Sequence, residues 1–218
     1  MKKILALSVL LALAGCADQN GHIFNPKLFG PDDASAVKTE EVQTVSNLKS
    51  VKITTDSFSD VSATYLNSNK TVPFSLSLTD SVMQLPSGKT LVKLFALPQL
   101  EFDQGIHVMS EAREFVFVPY MQFLDANFKP IHEEFSSTYN EKNDQFEIVA
   151  PVDDMAKSIR YVAVYSHQDE YGKQSPLYDA EQQYNKENGV DTPAKPWLKT
   201  THAPMGNLTI KIERIEGQ

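Results

Sequence analysis

Three observations in the 218-residue chain predict a mainly β fold, a single β-sandwich with one inserted helix. Apolar residues recur with period 2 in several short runs, Pro, Gly, Ser and Asn separate those runs, and only one stretch carries helix signals at both ends. Period 2 sends successive side chains to opposite faces, so each run makes a strand with one wet face and one face for a core. About seven such strands at turn-separated spacing suit a two-layer sandwich.

The chain opens differently. Lys2 and Lys3 precede an apolar run from Ile4 to Ala14 broken only by Ser8, and Gly15 and Cys16 follow. That run is too short to cross a bilayer and has the layout of a secretory signal peptide, residues 1–15. Leu13, Ala14, Gly15 and Cys16 resemble the bacterial lipobox, in which the cysteine is lipidated and becomes the new N-terminus. Cys16 is the one cysteine, so it has no partner for an internal disulfide, and zinc sites built from several thiolates are excluded by count. Bacterial lipoproteins carry several acyl chains, which hold a protein durably at a membrane without a spanning helix. An aspartate directly after the cysteine retains such proteins in the inner membrane. Here Ala17 takes that place and Asp18 comes second, which assigns the chain to the outer membrane, facing the periplasm.

Residues 16–47 show no sustained period and hold two Pro, two Gly and several charges. They read as a lipidated N-terminus and tether. Ile23, Phe24, Leu28 and Phe29 leave a second option open, that the segment packs on the domain spanning 48–218.

Within that domain Val51 and Ile53 begin the alternation, and Val72, Phe74, Leu76 and Leu78 continue it. Pro86, Ser87 and Gly88 supply a turn before Leu91, Val92, Leu94, Phe95 and Leu97, and Pro98 closes that run. The segment 113–125 follows, with Phe115, Phe117, Met121 and Phe123; Pro119 inside it cannot donate to a ladder and marks a bulge or an edge. Runs at 145–151, 160–168 and 207–215 complete the strands. The helix is expected over Leu177 to Asn188, with Ser175 as cap, Pro176 in the first turn and Gly189 as the left-handed stop. Phe74, Leu76, Phe117, Val162, Val164 and Ile210 form the expected core.

With 28 acidic against 20 basic side chains the formal net charge is -8. Signal-peptide removal takes two lysines and no acid, so the exported part is more negative still. The chain has no surplus of cations to neutralise phosphates, which excludes nucleic acid as a main partner and disfavours acidic ligands.

From about Asn47 to Glu213 the order of elements resembles the maltose operon periplasmic protein (MalM) family. The resemblance rests on Phe123-Leu124-Asp125 with Asn127 and Pro130, the aromatic-flanked strand Tyr161 to Tyr165, and the Leu177-Tyr178-Asp179 entry to the helix. It implies an exported accessory protein of maltose and maltodextrin transport; no enzyme activity and no cofactor are expected. Its partners would be the membrane, through the lipid, and maltodextrin or an outer-membrane porin. Two readings stay open: weak carbohydrate contact, or a lipid-anchored structural protein that docks on an envelope component and binds no sugar.

The residues themselves offer no catalytic motif. His22, His107, His132, His167 and His202 form no i, i+4 pair, so a metal would need tertiary convergence, and no metal site is assigned. His132 with Glu133 and Glu134, and His167 with Asp169 and Glu170, are the densest polar clusters, each beside a strand end where solvated groups are expected. Ser166-His167-Gln168-Asp169 cannot act as a nucleophile relay, because neighbours along a strand face opposite ways. Asp153-Asp154 reads as the acidic start of a short helical turn. Trp197, the single tryptophan, sits in a loop stiffened by Pro193, Pro196 and Pro204, and Tyr171, Tyr178 and Tyr184 are the aromatic residues expected to stand near it in the fold. Aromatic faces stack on the C–H faces of sugar rings, so Trp197 with Tyr178 and Tyr171 is the candidate carbohydrate contact. The competing role for Trp197 is to clamp its loop onto the sandwich.

Overall fold

The period-2 runs sort into two facing layers and a small third sheet. The computed structural model describes residues 47–67 and 70–215. The segments expected to be a signal peptide (residues 1–15), a lipobox (Leu13, Ala14, Gly15 and Cys16) and a tether (up to residue 46) lie outside them. The larger layer contains β1 (Ala63–Tyr65), β3 (Ser81–Leu85), β4 (Gly88–Ala96), β7 (Tyr120–Leu124), β8 (Phe135–Ser136) and β11 (Tyr161–Tyr165). Their order is β1-β4-β11-β7-β8, with β3 paired on β4. The facing layer is β2-β14-β5-β10-β9, built from β2 (Val72–Leu76), β5 (Gln104–Glu111), β9 (Thr138–Asn140), β10 (Gln145–Pro151) and β14 (Gly206–Arg214). A three-stranded sheet joins β12 (Gln174–Pro176), β13 (Lys199–His202) and β6 (Phe115–Val116) in that order.

Between the two large layers lies the main core. Leu91, Phe95, Met121, Phe123, Val162 and Val164 point in from one side, and Leu76, Ile106, Val108, Ile148, Leu208 and Ile210 from the other. Five of the six expected core residues are fully buried, and Phe74 packs half-buried against them. A second apolar cluster covers the outer face of the larger sheet, with Val61, Met83, Val92, Leu94, Leu124, Ala163 and Tyr165. β4 is therefore buried on both faces, which is why Leu91, Val92, Leu94 and Phe95 run together instead of alternating.

Several expectations need correction. Val51 and Ile53 form no strand; that segment touches the sheet through the bridge of Thr55 with Met83 and the bond from Thr54 N to Val82 O. Leu78 lies beyond β2 and is exposed. The segment 113–125 is two strands in two sheets, β6 and β7, parted by Phe117, Val118 and Pro119, so Pro119 marks a break. The helix, α1, spans Ala180–Glu187 and starts later than expected, because Ser175 and Pro176 belong to β12. Its cap is Asp179, in a reciprocal capping box with Gln182. Gly189 follows with φ +73, the left-handed stop expected there. The turn before β4 also holds: Gly88 has φ +110, a conformation that favours glycine. Asp153–Lys157 is the expected short helical turn.

Candidate functional site

Alternation along β7 and β11 decides which groups reach the outer face of the larger sheet. Met121 and Phe123 turn into the core, so Tyr120, Gln122 and Leu124 turn outward; Val162 and Val164 turn inward, so Ala163 and Tyr165 turn outward. The pairing sets Tyr165 opposite Tyr120 and Gln122 opposite Ala163. A tight turn then folds the chain back over this face. Asp125 Oδ1 accepts the backbone N–H of Asn127 at 2.7 Å and of Lys129 at 2.9 Å, and the Lys129 bond leads the effects that hold the carboxyl below its ordinary pKa. The returning strand bridges Leu124 with Pro130. Glu134 arrives over Tyr165 and His167.

Glu134 joins the two sequence clusters that carried the densest polar groups. Its Oε2 accepts the Tyr165 hydroxyl at 2.7 Å, and its Oε1 lies 3.0 Å from His167 Nε2. Burial, then the Glu134 carboxylate, pushes the Tyr165 phenol well above its ordinary pKa, so it stays a donor. His167 stacks on Tyr120, with ring centroids 3.7 Å apart and planes 7° from parallel. The Tyr120 hydroxyl donates to Glu170 Oε1 at 3.2 Å, and its pKa is pushed up to about 12 by burial and by Glu170.

The chain of polar contacts continues. Glu170 also accepts from Lys173 Nζ at 3.0 Å and pairs with His202 Nδ1 at 3.1 Å, while His202 Nε2 lies 2.8 Å from Ser175 Oγ. Burial lowers the His202 pKa, an effect Glu170 opposes. A neutral ring that donates from Nδ1 to Glu170 accepts the Ser175 proton at Nε2, the arrangement that activates a serine in hydrolases. In α/β-hydrolases the residue after the nucleophile gives an oxyanion N–H, whereas here that residue is Pro176, which has none. The Ser175, His202 and Glu170 relay ties β12 and β13 to the loop after β11.

Beside Glu134 the outer face is hollowed into a cleft of about 310 Å³, lined by Phe58, Leu85, Pro86, Ser87, Gln122, Pro130, Glu134, Tyr165 and His167. Gln122, in this lining, donates from Nε2 to His132 O at 2.5 Å and to Phe123 O at 3.3 Å. Gln168 closes the hairpin side: its N–H donates to Ser87 O and its Oε1 accepts from Lys89 N at 3.0 Å.

The residues singled out in the sequence lie elsewhere. Trp197 is 80% exposed and does not line this cleft. It is not a clamp, because its loop is fastened by other groups: Gln182 Nε2 donates to Pro193 O at 2.8 Å, Lys195 pairs with Asp179, and Leu177 N donates to Leu198 O. Tyr178 is 6% exposed, with Lys186 Nζ 4.2 Å from its ring centroid. Tyr171 packs against the main core and reaches Thr90 Oγ1 at 3.4 Å. Tyr184 is exposed on α1. His132 turns to Phe135, its Nδ1 3.0 Å from Glu133 O. Among the described residues no three His, Cys, Asp or Glu side chains gather as a metal cage. The sequence does not assign Phe58, Gln122, Ser175 and His202 to these contacts, since their partners come from segments distant in the chain.

A protein-family model described as maltose operon periplasmic protein precursor (MalM) matches residues 87–212, more than half of the chain. The chain belongs to the MalM family. Membership makes it a periplasmic protein of a maltose operon. The MalM match takes in Ser87, Gln122, Glu134, Tyr165, His167 and Trp197, and it begins at Ser87, later than the Asn47 at which the sequence resemblance starts. The structure gives two of the motifs that carry the resemblance a physical role. Asp125, Asn127 and Pro130 build the turn that delivers Glu134, and Asp179 caps α1. Comparison with curated proteins and with solved structures gives no match.

Proposed function

We propose that the chain is a periplasm-facing lipoprotein, anchored to the outer membrane through Cys16, that assists maltose and maltodextrin transport by weak glucan contact at Trp197 and performs no chemistry of its own. The observation that carries this reading is the 80% exposure of Trp197 in a loop already fastened by Gln182, Lys195 and Leu198. An indole that the fold does not need, held out on a Pro-stiffened loop, is a ready platform for a sugar ring. The operon context of the family supplies the substrate class. One stacked ring with a few exposed hydrogen bonds is worth roughly 4 to 6 kcal/mol, a dissociation constant of about 0.05 to 1 mM, because every hydroxyl gives up bonds to water.

Titration with maltoheptaose, read by Trp197 fluorescence, tests the contact. The expected result is a saturable change in the millimolar range that Trp197→Ala abolishes with unchanged far-UV circular dichroism. No response at millimolar maltoheptaose sinks glucan contact and leaves docking on a protein partner such as a porin. The anchor is tested separately: Cys16→Ser is expected to accumulate as an unlipidated precursor, and a native mature chain that starts downstream of Cys16 would refute it.

A further inference from the structure

We propose that the cleft between the β3–β4 hairpin and Glu134 is a second sugar subsite, one that takes a single neutral hexose ring; this rests on the reading that glucan is the ligand. Its volume of about 310 Å³ sits at the small end of the ~300–1,000 Å³ usual for ligand pockets, a size for one ring and not for a chain. Its lining is mixed in the way a sugar requires. Phe58 brings an aromatic ring to the lining, 6.4 Å from Tyr165 between ring centroids, and Leu85, Pro86 and Pro130 extend the apolar surface.

The polar groups are set for hydroxyls. Tyr165 and His167 fix the Glu134 carboxylate, so it does not have to be ordered when a ligand arrives. Gln122 has its Nε2 engaged, and among the described residues its Oε1 and the Ser87 hydroxyl take no hydrogen bond. A carboxylate and an amide oxygen accept from sugar O–H groups, while the serine hydroxyl both donates and accepts.

The alternatives fit less well. An anion would meet Glu134 with no lysine or arginine in the lining. A purely apolar ligand would bury Glu134, Gln122 and Ser87 against nothing that replaces their water. An organic cation would suit Glu134 and Phe58 but would leave the Gln122 oxygen and the Ser87 hydroxyl less well used. A neutral polyhydroxylated ring uses all of them.

The test is one titration of the ¹⁵N-labelled purified protein with maltotriose, followed by NMR through two side-chain signals. The Gln122 amide reports the cleft, and the indole N–H of Trp197, the one tryptophan, reports the loop. The cleft proposal expects the Gln122 amide to shift saturably, and Phe58→Ala to weaken that response at least tenfold with the remaining spectrum in place. Ser87→Ala, a change at the rim, is expected to weaken it about twofold to fivefold. Movement of the Trp197 signal with a still Gln122 amide overturns the cleft and leaves the Trp197 reading standing. Movement of Gln122 with a still Trp197 signal upholds the cleft and overturns contact at Trp197. If tetramethylammonium shifts the Gln122 amide and maltotriose does not, the site is a cation site and the proposal is wrong.

Discussion

A histidine buried between a carboxylate and a hydroxyl has one neutral tautomer that satisfies both, and His202, 6% exposed between Glu170 and Ser175, is held in it. Protonation would give Nε2 a hydrogen that the Ser175 hydroxyl has to turn to accept, inside a site that already disfavours charge. Burial sets the His202 pKa below 6.5, with Glu170 offsetting part of the effect. Between that lowered value and 6.5 the unfolded chain binds more protons here than the folded one, so stability rises with pH across the interval. The contribution is complete above 6.5 and is lost as pH falls below it. Glu170 acts further down. Burial alone would raise its pKa, but the hydrogen bonds from Lys173 and His202 outweigh burial and set it below 4.5, so its contribution is lost only on stronger acidification. The urea midpoint of the wild-type protein should therefore fall from about pH 7.5 to about pH 5.5. His202→Gln should be less stable at the higher pH and should lose most of that slope. An unchanged slope in the variant would place the acid sensitivity at another group.

At the scale of elements, α1 shows how a local rule is met at a different residue from the expected one. Asp179 Oδ1 accepts Gln182 N at 3.0 Å, Gln182 Oε1 accepts Asp179 N at 3.2 Å, and Asp179 Oδ2 pairs with Lys195. Loss of a side-chain cap typically costs roughly 0.5–2 kcal/mol, and an exposed ion pair contributes under about 1 kcal/mol. Asp179→Ala should thus lower the urea midpoint, and Asp179→Asn, which keeps the cap and loses the charge, should lower it by no more than half as much. Equal losses would mean that the tie to the 190–198 loop, and not the cap, holds the helix. Ser175 reads as a cap in the sequence because Pro176 follows it, yet pairing with Thr200 claims it for β12. The same competition explains which strands are legible. β10 and β14 alternate strongly, β11 is an apolar run buried on both faces, and all three appear where the sequence puts them. β5 is central to its sheet yet invisible, because Ser110 ends its inward apolar set and leaves Ile106 and Val108 as the whole signal. β3 escapes for the opposite reason: Val82 faces the main core and Met83 the outer cluster, so the strand shows no period.

The whole molecule explains why the site was less legible than the fold. Glu134 and His167 each stand out in the sequence among acidic neighbours, but their meeting depends on the turn at Asp125 and on the pairing of β7 with β11, neither of which periodicity reveals. Trp197 is conspicuous by type, and only its surroundings show that it is not an anchor. The core, in contrast, follows from pattern alone, and Phe117 is its most exacting member. It is fully buried in the break between β6 and β7, and on β14 a Cβ at Gly206 would lie 2.7 Å from its own Cβ, so only glycine lets the two segments approach. Phe117 and Ile210, the latter on β14, belong to the same buried core. Phe117→Ala should cost about 3–5 kcal/mol and Ile210→Ala about 2–5 kcal/mol, in a domain whose total stability is on the order of 5–15 kcal/mol. Calorimetry with far-UV circular dichroism is the suitable measurement, because the exposed Trp197 senses its loop and not the core. Each variant should move one cooperative transition to lower temperature without dividing it. A variant that split the transition, leaving one layer folded after the other had melted, would show that the two sheets do not depend on a common core and that the residues from 48 onward are more than one folding unit.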